Sequence, residues 1–239
     1  MLYVIRQWKN GNVVGITWHI ETRRIPFQFI EAYDTPEYPK LQQGDAVIAL
    51  GGPPSVCRLR EPDFEYDFLL PEADFLAELS RENIPFMGIC LGHQLRAKME
   101  DNPVEQRHLV FGVQDVDLTE AGRRHWLFDG IPDRFQIYQH HRDHVVSVNH
   151  GAVVLGNSET CPVEAVAWND SSVSVQFHPE VLDIQFEDAI LKYPKQLEAT
   201  GLTFDEMLER VPGDYMWYIN RLFDNFFGRA GLTSIRLSA

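Results

Sequence analysis

The apolar run Pro85-Phe86-Met87-Gly88-Ile89 breaks at Cys90, between Gly88 and Gly92, and passes straight into a helix-forming segment, Leu91–Met99. A chain with that pattern must build a sharp strand-to-helix turn, and glycines two residues either side of the turning residue relieve its crowding. The side chain at such a turn stands at the edge of a sheet. It also faces a helix N-terminus, whose unpaired N–H groups and macrodipole favour an anion. A cysteine placed there is set up to react as thiolate, the nucleophilic form of sulfur. Taken alone, a buried cysteine reads as a small hydrophobe, so the case for a nucleophile depends on finding a base.

A second strand pattern, 172–177, runs into His178-Pro179-Glu180. In an extended segment residues i and i+2 share a face, so Glu180 can accept the Nδ1 proton of His178 while Nε2 faces a substrate or the cysteine. Pro179 fixes its own φ and pushes His178 into an extended conformation, which holds the pair rigid. Cys90, His178 and Glu180 are therefore the expected nucleophile, base and orienting carboxylate.

The rest of the first half reads as alternating strands and helices: strands at 2–5, 27–32, 46–50 and 84–89, with helical spacing at 12–22, 72–81 and 91–99. That alternation implies parallel pairing with helices as crossovers, and it puts Cys90 at the carboxyl end of a central parallel strand, where open α/β sheets place their sites. Beyond residue 99 the pattern changes to short alternating runs at 109–118, 134–138, 145–148, 153–156, 163–168 and 173–177, which predict added antiparallel strands. After Glu180 helical spacing returns at 184–191, 204–211 and 215–227. In the last of these Tyr215, Met216, Ile219, Leu222, Phe223, Phe226 and Phe227 form a broad apolar face, for packing on the same domain or for docking another protein chain. The expectation is one domain over 1–239, with a core at 1–182 and a helical extension at 183–239.

Three segments, Gly51-Gly52-Pro53 after the strand at 46–50, Gly-Ile-Cys-Leu-Gly-His-Gln at 88–94, and Gln176-Phe177-His178-Pro179-Glu180, resemble in wording, order and spacing the signatures of class I (triad) glutamine amidotransferases. Residues 1–182 carry the likeness. With Ser158-Glu159-Thr160-Cys161-Pro162 the wording is most similar to the glutaminase part of GMP synthetases and their stand-alone relatives. The resemblance implies a flavodoxin-like glutaminase architecture: an open, mostly parallel sheet with helices on both faces. It also implies that Cys90 attacks the glutamine carboxamide to form a γ-glutamyl thioester, that the oxyanion is held by the N–H groups of Gly52 and Leu91, and that Gln94 contacts the substrate amino acid. The segment that reads Ser-His-Gly-Asp in relatives is His140-His141-Arg142-Asp143 here, so His140, His141 and Arg142 are expected at the substrate. Arg142 replaces a glycine, which leaves open a γ-glutamyl compound other than glutamine. A third reading is a binding or regulatory protein that keeps the fold without turnover.

No phosphate-binding Gly-x-x-x-x-Gly-Lys-Ser/Thr loop is present, so under the resemblance ammonia would pass to an acceptor activated by a separate ATP-using synthetase subunit. No cofactor is expected. The cluster His140, His141, His144 and His150 raises metal binding. However, adjacent histidines of an extended segment face opposite ways and no carboxylate or cysteine stands at a ligand spacing, so no metal is expected. A net charge of −14 from 35 acidic and 21 basic residues argues against nucleic acid. Three widely spaced cysteines, Cys57, Cys90 and Cys161, fit a reducing compartment, and no apolar run reaches the roughly 20 residues of a membrane span. The cytoplasm is the expected location.

Overall fold

The computed structural model describes residues 1–9, 11, 13–149 and 151–233. Strand β1 (Leu2–Arg6) pairs in parallel with β2 (Phe27–Glu31) on one side and β3 (Ala46–Ala49) on the other; β3 pairs in parallel with β4 (Phe86–Ile89), and β4 with β9 (Ser172–Val175). From β9 the sheet continues antiparallel through β8 (Ala165–Ala167), β7 (Val153–Asn157), β5 (Val104–Leu118) and β6 (Arg134–Val145). The resulting nine-stranded sheet has the order β2-β1-β3-β4-β9-β8-β7-β5-β6.

Every residue of β3, β4 and β9 is buried, as expected of parallel strands covered on both faces. Alternation sorts their side chains into two cores. Leu2, Val4, Ala46, Ile48, Met87 and Ile89 join Ile16 and Ile20 of helix α1 (Val14–Thr22) on one face. Ile5, Val47, Ala49 and Phe86 join Leu76 of α2 (Leu69–Glu82) and Leu95 of α3 (Leu91–Met99) on the other. The predicted helix at 12–22 begins at Val14, and Asn12 lies outside the described residues.

The antiparallel half departs from the sequence reading at one place that matters for the site. Segments 134–138 and 145–148 are expected as two strands with a substrate loop between them, yet β6 is one strand of 12 residues running through that loop. Polar residues survive in its buried middle because they bond to one another, and a register shift in β5 between Gln106 and Val110 absorbs the local misfit.

The extension folds as α4 (Phe186–Leu191), α5 (Pro194–Thr200), α6 (Phe204–Glu209) and α7 (Tyr215–Arg229). Helix α5 is absent from the sequence reading, although Pro194 at its first turn and left-handed Gly201 at its end are the ordinary start and stop signals. The apolar face of α7 covers α1: the Phe223 and His19 rings lie 4.2 Å apart, and Arg23 Nε bonds Asp224 at 2.7 Å. Of the two readings of that face, packing against the rest of the chain is the one observed.

Candidate active site

Cys90 occupies the turn between β4 and α3 with φ 51° and ψ −101°, a backbone region a non-glycine residue enters only where its surroundings enforce it. Its N–H donates to the Val175 carbonyl on β9 at 2.9 Å. The flanking glycines admit this geometry by close approach. A Cβ on Gly88 would lie 2.7 Å from the Gly92 carbonyl oxygen, and one on Gly92 would run into the carbonyl oxygen of Ala49. Beyond the turn, buried His93 fastens α3 to β9 through a 2.7 Å contact between its Nδ1 and the Ser174 hydroxyl. Burial drops the His93 pKa to about 3, so it is a neutral structural residue.

His178 follows β9, and its N–H donates to the Tyr138 carbonyl of β6 at 2.9 Å. Its Nδ1 lies 2.7 Å from Glu180 Oε1, with side-chain exposures of 14% and 9%. The imidazole also meets Cys90: a Cβ on Gly51 would lie 2.9 Å from His178 Cε1 and 3.2 Å from Cys90 Cβ. Burial by itself lowers the His178 pKa. The Glu180 carboxylate and the Cys90 sulfur together outweigh that effect and hold the ring's proton well above the ordinary histidine range. Glu180 is set in place by parts of the chain the sequence reading did not connect with it. A Cβ on Gly15 of α1 would overlap the Glu180 carbonyl oxygen, and the hydroxyl of buried Tyr215 on α7 donates to the next carbonyl, Val181, at 2.9 Å.

The N–H groups of Leu91 and Gly52 have no acceptor among the described residues. The two residues are in contact, since a Cβ on Gly52 would lie 3.1 Å from Leu91 Cδ2. The same point is 3.6 Å from the Cβ of Gln7, whose amide is held at 2.6 Å by buried Glu72 of α2.

Cys90, His178 and this glycine loop open into a cleft of about 900 Å³, which Asp188, Lys192, Tyr193 and Gln196 of the extension also line. Gln94 lines it, but its Nε2 is committed to the Asp143 carbonyl at 2.9 Å and to Gln176 Oε1 at 3.2 Å. His140 approaches Cys90 with its backbone: its carbonyl oxygen is 3.9 Å from Sγ, while its ring packs between Phe111 and Tyr193 at 5.0 and 4.5 Å. Burial first, then the positive charges of His178, Lys192 and Arg142, bring the His140 pKa down to about 4. His141 is buried and bonds to Gln139 and to the Asp143 carbonyl, and Arg142 is exposed at the cleft's rim.

Among the described residues no group of three His, Cys, Asp or Glu side chains is arranged to hold a metal. His140, His141 and His144 turn to different partners, and His150 lies outside the described residues. Among the same residues no helix is long and apolar enough to cross a membrane. The three cysteines are free.

A family model described as "Glutamine amidotransferase class-I" matches residues 12–193. A glutamine-hydrolyzing GMP synthase subunit of Pyrococcus abyssi is 28% identical over 192 residues, covering 80% of this chain and 90% of that protein. The glutamine-hydrolyzing GMP synthase of Thermosipho africanus is 34% identical over 154 residues, which is 62% of this chain but only 26% of that longer protein. Among solved structures, a glutamine amidotransferase from Thermotoga maritima superposes with a TM-score of 0.81 at 21% identity, over 96% of this chain and 97% of its own. That likeness concerns the fold, and it includes the extension.

Proposed function

The chain belongs to the class I glutamine amidotransferases, and from that premise we propose that it hydrolyses the side-chain amide of glutamine through a γ-glutamyl thioester on Cys90. The observation that carries this reading is the convergence of His178 and Cys90 at Gly51, with Glu180 held 2.7 Å behind the imidazole. In the acylation half, the Cys90 thiolate attacks the amide carbon, and the C–O π electrons move to oxygen. The N–H groups of Gly52 and Leu91 receive that oxyanion, each donor contributing about 3 kcal/mol to the transition state. His178 then gives its proton to the departing nitrogen, the C–N bond breaks, and ammonia leaves. In the deacylation half, His178 takes a proton from water, hydroxide adds to the thioester, the C–S bond breaks and glutamate departs. Glu180 keeps the imidazole oriented and stabilises its charged form in both halves.

Several relatives are named as single subunits of GMP synthase, and this reading extends to a separate ATP-using synthetase subunit that docks over the cleft and consumes the ammonia. The cleft's volume and the rim cation Arg142 favour a second reading, in which a larger γ-glutamyl amide is the substrate. Comparing kcat/KM for glutamine with that for other γ-glutamyl amides separates the two, since only contacts to the leaving group differ. Cys90→Ala is expected to abolish ammonia release while leaving the fold intact, and a glutamine-like electrophile is expected to add its mass at Cys90 only. Ammonia release that persists in Cys90→Ala would remove the assigned nucleophile.

A further inference from the structure

A chain of buried side chains runs from the cleft wall into the antiparallel half of the sheet. Gln139, His141 and Asp143 alternate onto one face of β6 and all three are buried. His141 Nδ1 lies 3.1 Å from the Asp143 carbonyl oxygen, and its Nε2 lies 2.8 Å from one end of the Gln139 amide. The other end of that amide lies 2.9 Å from Glu164 Oε1, which also accepts from the Ser158 hydroxyl at 2.7 Å. Glu164 is fully buried, has no cation beside it, and its Oε2 has no partner among the described residues. Backbone bonds fix its place: its N–H donates to Gly156 at 2.9 Å, and its carbonyl accepts from Gln176 at 2.8 Å, two residues before His178.

The hydrogens along this chain are not independent. A carbonyl oxygen only accepts, so the contact at Asp143 is a hydrogen bond only when His141 Nδ1 carries hydrogen. Burial first, then the neighbouring His144 imidazole, keeps the His141 pKa well below the ordinary range. The ring is therefore neutral and has one N–H. If that hydrogen is on Nδ1, then Nε2 must accept, Gln139 must offer its NH2 to it, and the Gln139 oxygen faces Glu164, where only a protonated carboxyl can donate. When Glu164 ionises, the amide turns over. Its NH2 goes to the carboxylate, its oxygen goes to His141, the ring hydrogen moves to Nε2, and the Asp143 carbonyl loses a donor. The two ends of an amide have the same shape, so both arrangements fit the same heavy-atom positions.

We propose that Glu164 is a positioning residue for the cleft-lining segment 140–143: through the Gln139 amide it selects which His141 nitrogen carries hydrogen, and so whether the Asp143 carbonyl is held. The proposal rests on the reading of that segment as a substrate wall. Asp143 is a junction, since its carbonyl also accepts from Gln94 and its carboxylate accepts from Ser55, three residues past Gly52. The groups facing the chain are His144, His178 and His93 around His141, and Ser158 and the Cys161 thiol beside Glu164; Arg107 acts on Cys161 and not on Glu164. Burial brings the Glu164 pKa up to about 7, so the balance between the two arrangements falls near neutrality.

The test is imidazole 15N spectroscopy of the full chain between about pH 5.5 and about pH 8.5, with His141→Gln used to assign the signal, alongside KM for glutamine over the same range. In the wild type the His141 signal is expected to change from the Nδ1–H to the Nε2–H form with a midpoint near pH 7. KM should rise about fivefold in parallel, the weight of one hydrogen bond, with kcat nearly constant. Glu164→Gln, whose amide can donate to Gln139 at every pH, is expected to hold the Nδ1–H form and the low-pH KM throughout. Glu164→Ala, which removes the carboxylate that draws the Gln139 NH2 away from His141, should lose the pH dependence of both the tautomer and KM. A His141 tautomer that does not change in the wild type, one that still titrates in Glu164→Gln, or a KM that ignores the tautomer would overturn the proposal. If no γ-glutamyl amide is hydrolysed at all, the reading of the site fails, while the spectra still decide whether Glu164 sets the tautomer.

Discussion

Replacing Glu72 by glutamine should stabilise the protein in a way that depends steeply on pH. Glu72 is fully buried on α2; Oε1 takes the Gln7 amide at 2.6 Å, and Oε2 has no partner among the described residues. Burial raises its pKa from 4.5 to about 8, with the Gln7 hydrogen bond offsetting only part of the cost. A difference of 8 − 4.5, about 3.5 units, at 1.36 kcal/mol per unit is worth at most about 5 kcal/mol. The folded chain binds this proton more tightly than the unfolded chain. Its contribution is thus complete below pH 4.5, shrinks by up to about 1.4 kcal/mol per pH unit as pH rises, and is gone once pH passes about 8. Glu72→Gln keeps an acceptor for Gln7 and has no proton to lose. Urea unfolding at a series of pH values should therefore show the variant and the wild type nearly equal near pH 5, diverging by about 1.4 kcal/mol per unit up to pH 8, and parallel beyond it. Buried neutral histidines, among them His19 and His93 with pKa values of about 3, weaken both chains as pH falls below the ordinary histidine value of 6.5, and they cancel in the difference. Parallel curves across the whole range would mean that the folded state already holds Glu72 ionised, and the argument from burial would be refuted.

Two further outcomes follow from the close approaches at the site and along the extension. Gly51→Ala places a methyl 2.9 Å from His178 Cε1 and 3.2 Å from Cys90 Cβ; glutaminase kcat should fall by at least about a hundredfold with the thermal midpoint little changed, and a full-rate variant would contradict the placement of the two side chains. A chain ending at residue 182 loses the fully buried Ile219, Leu222, Phe223, Phe226 and Phe227, at roughly 1.5–3 kcal/mol each. That sum is comparable with the whole stability of a domain. The shortened chain is expected to show no cooperative unfolding transition, and a sharp transition would mean that 1–182 is an independent unit.

The legible part of the site was the part whose geometry is local. Gly88, Cys90 and Gly92 declare a turn by spacing alone, and His178 and Glu180 share a face because they are two apart on an extended segment. The buried polar pairs could not be read that way. Gln7 and Glu72 are 65 residues apart, and Gln139 and Glu164 are 25 apart; a lone glutamine or glutamate in a sequence reads as surface until the fold removes its water. Gln139, His141 and Asp143 alternate, yet polar runs ordinarily mark loops, and nothing in the run itself announces that β6 passes unbroken through it. Gly15 offered the clearest missed signal. The helical spacing at 12–22 puts Gly15 inside a helix, where a glycine costs about 1 kcal/mol relative to alanine, and a chain that keeps one there is commonly using the space. Here the space is taken by the backbone of Glu180, whose carbonyl oxygen stands where a Cβ would be. The first helix therefore locates the carboxylate behind His178. Any larger residue at position 15 would have to push α1 or Glu180 aside, so the geometry of the assigned base is set as much by residue 15 as by the motif at 176–180.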